Sequence, residues 1–222
     1  MDLTGQTDQK IKKDIIDHLF WDHRVDASRV TVEVKAGSVT LSGTVPDYAS
    51  RQAAESDVWS IPGTRSVENQ ITVETLVKGS VDKKIREDAE YALTKLAGVD
   101  QGKVDVSAVS GWVTFKGEVD SFWKKIQAEE MTSLVPHVKG ITNELVVVPT
   151  ENKKDQEIGE EIMKALDRNA NVDVNSVHVE VKDGEVALSG RVPSVYSRWS
   201  ALEVAHYNGG VVDVQDNLAV QG

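Results

Sequence analysis

Residues with the chemistry to do work are few and scattered. Ser121 and Lys124 stand three apart, the spacing of a Ser–Lys hydrolase pair in which an amine takes the hydroxyl proton. The companion motifs of that class are missing, and Ser121 opens a helical pattern, where an N-cap serine is expected. The histidines His18, His23, His137, His178 and His206 form no His-Glu-x-x-His arrangement. His18 and His23 share the end of one helical pattern, with Asp17 and Asp22 beside them, and are the nearest approach to a metal set. There are no cysteines, which removes thiolate nucleophiles, disulfides and Cys-held zinc or iron–sulfur centres. The reading is a non-enzyme: no catalytic residues, no metal and no cofactor.

Aromatic and basic residues point instead to binding. Trp21, Trp59, Trp112, Trp123 and Trp199 fall outside the repeated core pattern described below. Trp112 stands in a hairpin-turn pattern, where an exposed indole suits a lipid headgroup layer or a partner groove. Phe122, Trp123, Lys124 and Lys125 are consecutive, two aromatics beside two cations, a composition that suits an anionic lipid interface. The structural alternatives are contact of Trp112 with a neighbouring unit and burial of Phe122 against its own sheet. The lysine runs at Lys10, Lys12, Lys13 and at Lys83, Lys84 read as solvated helix faces with acids beside them.

The formal net charge is −11, so attraction to the phosphate backbone of nucleic acid is not expected. The candidate partners are anionic phospholipid or an envelope protein, met through local patches. No run approaches the ~18 apolar residues of a membrane span. The first residues lack an apolar leader segment, so the sequence as it stands predicts a cytoplasmic protein. A periplasmic protein whose leader is missing from this sequence is the alternative.

The elements that must position these residues occur three times. Val-Thr-Leu-Ser-Gly-Thr-Val at 39–45 returns as Val-Thr-Phe-Lys-Gly-Glu-Val at 113–119 and Val-Ala-Leu-Ser-Gly-Arg-Val at 186–192. A shift of about 74 residues aligns the copies throughout, the signature of tandem structural units. The units are 1–77, 78–150 and 151–222, with polar connectors at 75–80 and 149–154.

Within a unit, Ile11, Ile15, Ile16 and Leu19 recur at helical spacing. Asp8, Asp82 and Asp155 stand at equivalent helix starts, where an acid caps free N–H groups. Two alternating runs joined at Gly37, Gly111 or Gly184 predict a hairpin. Gly43, Gly117 and Gly190 interrupt the second run, which predicts a bulge or the close approach of a packed helix. Asp47, Ser121 and Ser194 then cap a second helix, with Ala54, Ala128 and Ala201 at its middle, and a last strand closes the unit at 67–73, 141–147 or 214–220. Asn69, Asn143 and Asp216 align in that strand and read as partners of backbone groups rather than ion ligands. The fold class is α+β: three tandem α-β-β-α-β units, each a three-stranded mixed sheet with two helices on one face. Strand order within the sheet is left open.

The Val-x-Leu-x-Gly-x-Val strand, together with the closing pattern Val67-x-Asn69-x-Ile71-x-Val73 and its two copies, resembles the BON domain. The resemblance spans nearly the whole chain. It implies a binding module without catalytic residues, associated with anionic phospholipid, envelope maintenance and osmotic stress. It leaves a soluble cytoplasmic stress-response or potassium-sensing protein as the alternative.

Overall fold

A computed structural model describes residues 7–74, 81–150 and 153–220. The predicted connector at 75–80 lies outside the described residues, as do 151–152 within the second. Among the described residues there are three sheets of three strands, each with a pair of α-helices in the predicted order. The first repeat comprises α1 (Asp8–Trp21), β1 (Val30–Lys35), β2 (Ser38–Val45), α2 (Tyr48–Ser60) and β3 (Ser66–Val73). The second comprises α3 (Asp82–Thr94), β4 (Val104–Val109), β5 (Trp112–Val119), α4 (Phe122–Ser133) and β6 (Gly140–Val147). The third comprises α5 (Asp155–Arg168), β7 (Val177–Lys182), β8 (Glu185–Val192), α6 (Val195–His206) and β9 (Asp213–Val220).

The strand order in each sheet follows the sequence, with the middle strand paired to both others. β1 runs antiparallel to β2, and β2 runs parallel to β3, so the sheet is mixed. The third repeat has the same pairing, from Val177 opposite Gly190 to Val192 opposite Val220. A two-residue turn closes the first hairpin with Ala36 and Gly37 both at positive φ, 50° and 78°. Asp183 and Gly184 repeat this at 52° and 80°. This is the turn whose twist matches paired strands, and it favours glycine at its second position.

Alternation along the strands divides each sheet into two faces. In the first repeat Val32, Val39, Leu41, Val45, Ile71 and Val73 point inward, to meet Ile11, Ile15 and Leu19 of α1 and Ala53, Ala54 and Val58 of α2. Both helices therefore cover one face, and the other is open and polar. Ile16 departs from the expected apolar stripe, because it lies beside rather than on the line of Ile11, Ile15 and Leu19 and remains exposed.

Two repeated residues have roles other than those their positions suggested. Asp8 stands in the first turn of α1, but Thr7 is the N-cap. The Asp8 carboxylate accepts the backbone N–H groups of Ala36 and Gly37 at 2.8 and 3.0 Å, tying the helix start to the hairpin turn. Asp82 does the same for Ser110 and Gly111, and Asp155 for Asp183 and Gly184. Gly43 has φ of +128° and sits in unbroken register opposite Val30, so there is no bulge. A Cβ there would overlap the carbonyl oxygen of Arg29, so the close neighbour is backbone entering β1 rather than an α-helix. Gly117 and Gly190 stand in the same relation to Lys103 and Ser176.

By compactness the chain divides into two units that do not follow the repeats. One comprises Met1–Ala92, Ser107–Thr114 and Glu130–Thr142, and the other Leu93–Val106, Phe115–Glu129 and Asn143–Gly222. Residues of the middle repeat are distributed between both.

Candidate functional site

The most exposed aromatics of the first unit stand at the end of α1. Phe20 is 69% exposed and Trp21 is 76% exposed, and their rings meet edge to face with centroids 5.6 Å apart. Helical spacing places Lys12, Ile16 and Phe20 in one exposed row beside the buried Ile11–Ile15–Leu19 stripe that anchors the helix, and Lys13, Asp17 and Trp21 in the next row. Lys13 pairs with Asp17, and Lys12 has Asp8 one turn before it and Ile16 one turn after it, with the Asp8 carboxylate held by the N–H groups of Ala36 and Gly37. The equivalent positions of Phe20 and Trp21 are Thr94, the last residue of α3, and Lys95 just beyond it, and Asp167 and Arg168 in α5. The exposed aromatic pair is therefore peculiar to the first repeat. Trp21 was visible in the sequence only as a non-repeating aromatic, and Phe20 gave no signal, because an apolar residue at helical spacing reads equally as core.

Behind Trp21 an open depression of about 690 Å³ is lined by Asp14, Asp17, His18, Asp22, Arg24 and Asp57 among others. Asp57 projects from α2 and is buried, at 5% exposure. One of its oxygens lies 3.7 Å from Nε2 of His18 and 3.7 Å from Arg24, and the other is buried without a partner. Burial, followed by the neighbouring Asp22 carboxylate, pushes the Asp57 pKa up to about 6. Hydrogen bonds from Arg24 hold Asp22 down at about 2. His23 lines the same depression, but among the described residues no group of His, Asp or Glu is arranged to hold a metal ion.

The residues singled out in the middle repeat separate in the structure. Phe122 is 5% exposed and joins the buried cluster of Ile158, Leu166, Val211 and Leu218 in the second unit, with its ring 5.3 Å from that of His206. Burial in that cluster lowers the pKa of His206. Lys124 is 7% exposed. Its ammonium donates to the Gly98 carbonyl at 2.8 Å and pairs with Asp120 at 2.7 Å, which holds the Asp120 carboxyl below its usual range. The Ser121 hydroxyl donates to the same Asp120, so Ser121 and Lys124 do not form a nucleophile–base pair. Trp123 is half-buried with the Lys124 ammonium 5.8 Å from its ring centroid, and Lys125 is half-buried beside it. In the first unit, Trp112 opens β5 and remains half exposed over Gly140.

Asn69 binds backbone, as expected: Nδ2 donates to the Arg51 carbonyl at 3.2 Å and Oδ1 accepts from Ile71 N–H. Asn143 repeats the arrangement with Lys125 and Leu145.

Small repeated sheets, each covered by helices on one face and joined to scattered exposed aromatics, define a class of tandem α/β modules. The family model of the BON domain matches residues 7–75, 81–149 and 154–222. The chain belongs to the BON-domain family. The osmotically-inducible protein Y of Escherichia coli K12 is 27% identical over 141 residues, covering 61% of this chain and 68% of that protein. An Anaplasma centrale protein, named for its position in the gshII 5′ region, is 26% identical over 149 residues, 65% of this chain and 93% of its own. Among solved structures, CdsD, a structural protein of the type III secretion system of Chlamydia trachomatis, aligns over 94% of this chain and 91% of its own. Its identity is 12% and its TM-score 0.27, too loose a likeness to bear on function.

Proposed function

We propose that this protein is a non-catalytic binding protein that docks on anionic phospholipid surfaces through the outer face of α1. The observation that carries this reading is the exposed Phe20–Trp21 pair, which ends two adjacent helix rows that carry Lys12 and Ile16 in one and Lys13 in the other. Two aromatic rings at the end of a helix bury apolar surface in the headgroup layer, while lysines on the same face meet phosphate. The net charge of −11 opposes general attraction to an anionic bilayer. Ring insertion must therefore supply the affinity, with the lysines acting within the ~10 Å over which charge is felt at 0.1 M salt. Among the described residues no helix is long and apolar enough to cross a membrane, which fits peripheral docking. Membership of the BON-domain family and the osmotically-inducible relative support a role in osmotic or envelope stress.

Flotation with phosphatidylglycerol-containing vesicles and with neutral phosphatidylcholine vesicles tests the proposal. The expected result is co-flotation with the anionic vesicles alone, weakening as salt rises. Absence from both, or equal recovery with both, overturns it.

A further inference from the structure

The open face of the middle sheet differs from its two counterparts at one end. In the first repeat Lys35, Ser38 and Ser66 form the row nearest the hairpin turn, and Glu33, Thr40 and Glu68 form the next, as the strand register shows. The third repeat places Lys182, Glu185 and Asp213 in the first row and Glu180 in the second. The middle repeat replaces every one of these charges. Shifting the first repeat's register by 74 residues puts Val109, Trp112 and Gly140 in its first row and Ser107, Thr114 and Thr142 in its second, and Trp112 does lie against Gly140. All six residues belong to the first compact unit.

Where Ser38 and Ser66 join their hydroxyls at 2.7 Å, the middle repeat has an indole laid over a glycine. A Cβ on Gly140 would overlap the six-membered ring of Trp112, so the absence of a side chain there is what seats the indole on the strand. The ring remains 51% exposed, with Val109 exposed in the same row. Neighbouring strands lie ~4.8 Å apart, and the next row begins ~6.6 Å along them. A hydroxyl row thus runs parallel to an aromatic platform about one sugar ring away from it. Each hydroxyl both donates and accepts.

On a chain of net charge −11, a charge-free patch offers no counter-charge to a phosphate headgroup or to a basic peptide. It fits a ligand that is itself neutral, with an apolar flat side and hydroxyls at its edge, as a pyranose has. We propose that this patch binds a neutral oligosaccharide, with one sugar ring stacked on Trp112 and its neighbours hydrogen-bonded by Ser107, Thr114 and Thr142. The stacking draws on the apolar body of the indole, and the row of hydroxyls supplies orientation. The site is separate from the Phe20–Trp21 face.

Titration of the full chain with cellohexaose and with the hexamer of N-acetylglucosamine, followed by tryptophan emission and calorimetry, tests this. Saturable binding of at least one hexasaccharide is expected, with affinity falling at least tenfold in Trp112→Ala and in Gly140→Ser, whose new side chain displaces the ring. Thr142→Val, an exposed substitution of similar shape, should weaken binding by a smaller factor, and Trp21→Ala should leave it unchanged. No saturable binding of either hexasaccharide, or binding that Trp112→Ala leaves intact, overturns the proposal. So does a Trp112→Ala effect confined to self-association or vesicle flotation, which would assign the patch to a second copy of the chain or to lipid.

Discussion

Asp57 lies 3.7 Å from the guanidinium of Arg24, while Asp22 holds the same guanidinium at 2.6 Å. The buried acid is thus the weaker partner of a shared cation, and its folded pKa of about 6 stands above its ordinary 3.8. Between those values the folded chain keeps a proton that the unfolded chain has released. Stability from this group therefore falls as pH rises from 3.8 to about 6, and the loss persists above that window. Asp57→Asn removes the ionisation and with it the loss. The variant should be more stable than the wild type at pH 7 by ~1–2 kcal/mol, with the gain disappearing near pH 4. Asp22, with its pKa lowered, contributes the opposite trend, losing stability as pH falls from 3.8 toward 2 in both proteins. Urea unfolding across pH 4 to 7 measures the difference, and a gain independent of pH would contradict the assignment.

Gly117 has φ of +118° and no room for a Cβ beneath the Lys103 carbonyl. Gly117→Ala must move backbone as well as adopt a disfavoured conformation, and should cost ~3 kcal/mol or more. Gly102, which has an ordinary φ and only the Asp100 side chain at 3.3 Å, is the control. Gly102→Ala should change stability by less than ~1 kcal/mol. Denaturant unfolding of the two variants compares them directly.

Asn69 also donates to Glu55 at 3.0 Å. In the third repeat the aligned Asp216 cannot donate, and it accepts instead from Arg198 at 2.7 Å, with Leu202 where Glu55 would be. The exchange of Asn for Asp is thus matched by one change in the helix, Leu202 for Glu55, while Arg198 is the counterpart of Arg51. Asn69→Asp alone loses both donations and sets a carboxylate beside Glu55, and should cost ~2 kcal/mol. Adding Glu55→Leu should recover part of that loss. Thermal unfolding of the single and double variants tests the coupling, and strictly additive effects would contradict it.

Much of the fold was legible because its signals are local and occur three times. Alternation in residues 39–45 and helical spacing through Ile11, Ile15 and Leu19 mark faces, and the faces dictate two layers. Roles that depend on distant backbone were not legible. Asp8 has the residue type of a cap, and only the folded chain brings Ala36 and Gly37 to its carboxylate. Gly43 signals a constraint without naming its source, the Arg29 carbonyl. The binding surface was harder still. The pairing of aromatics with lysines at residues 122–125 is conspicuous in sequence, yet Phe122 and Lys124 are buried and engaged within the fold, whereas Phe20, which gave no signal, is exposed. Spacing gives the face of a helix, but exposure depends on what packs against it. Asp57, an ordinary acid in a polar helix by sequence, acquires its pKa only from burial beside Asp22.

The account rests most heavily on the outer face of α1. The Phe20→Ser, Trp21→Ser double variant alters only exposed side chains, so its unfolding midpoint should match the wild type. Flotation of this variant with phosphatidylglycerol-containing vesicles is the most direct measurement. Loss of at least nine-tenths of the lipid-bound protein is predicted, roughly the effect of ~1.4 kcal/mol or more of lost insertion. Recovery equal to that of the wild type would contradict the account.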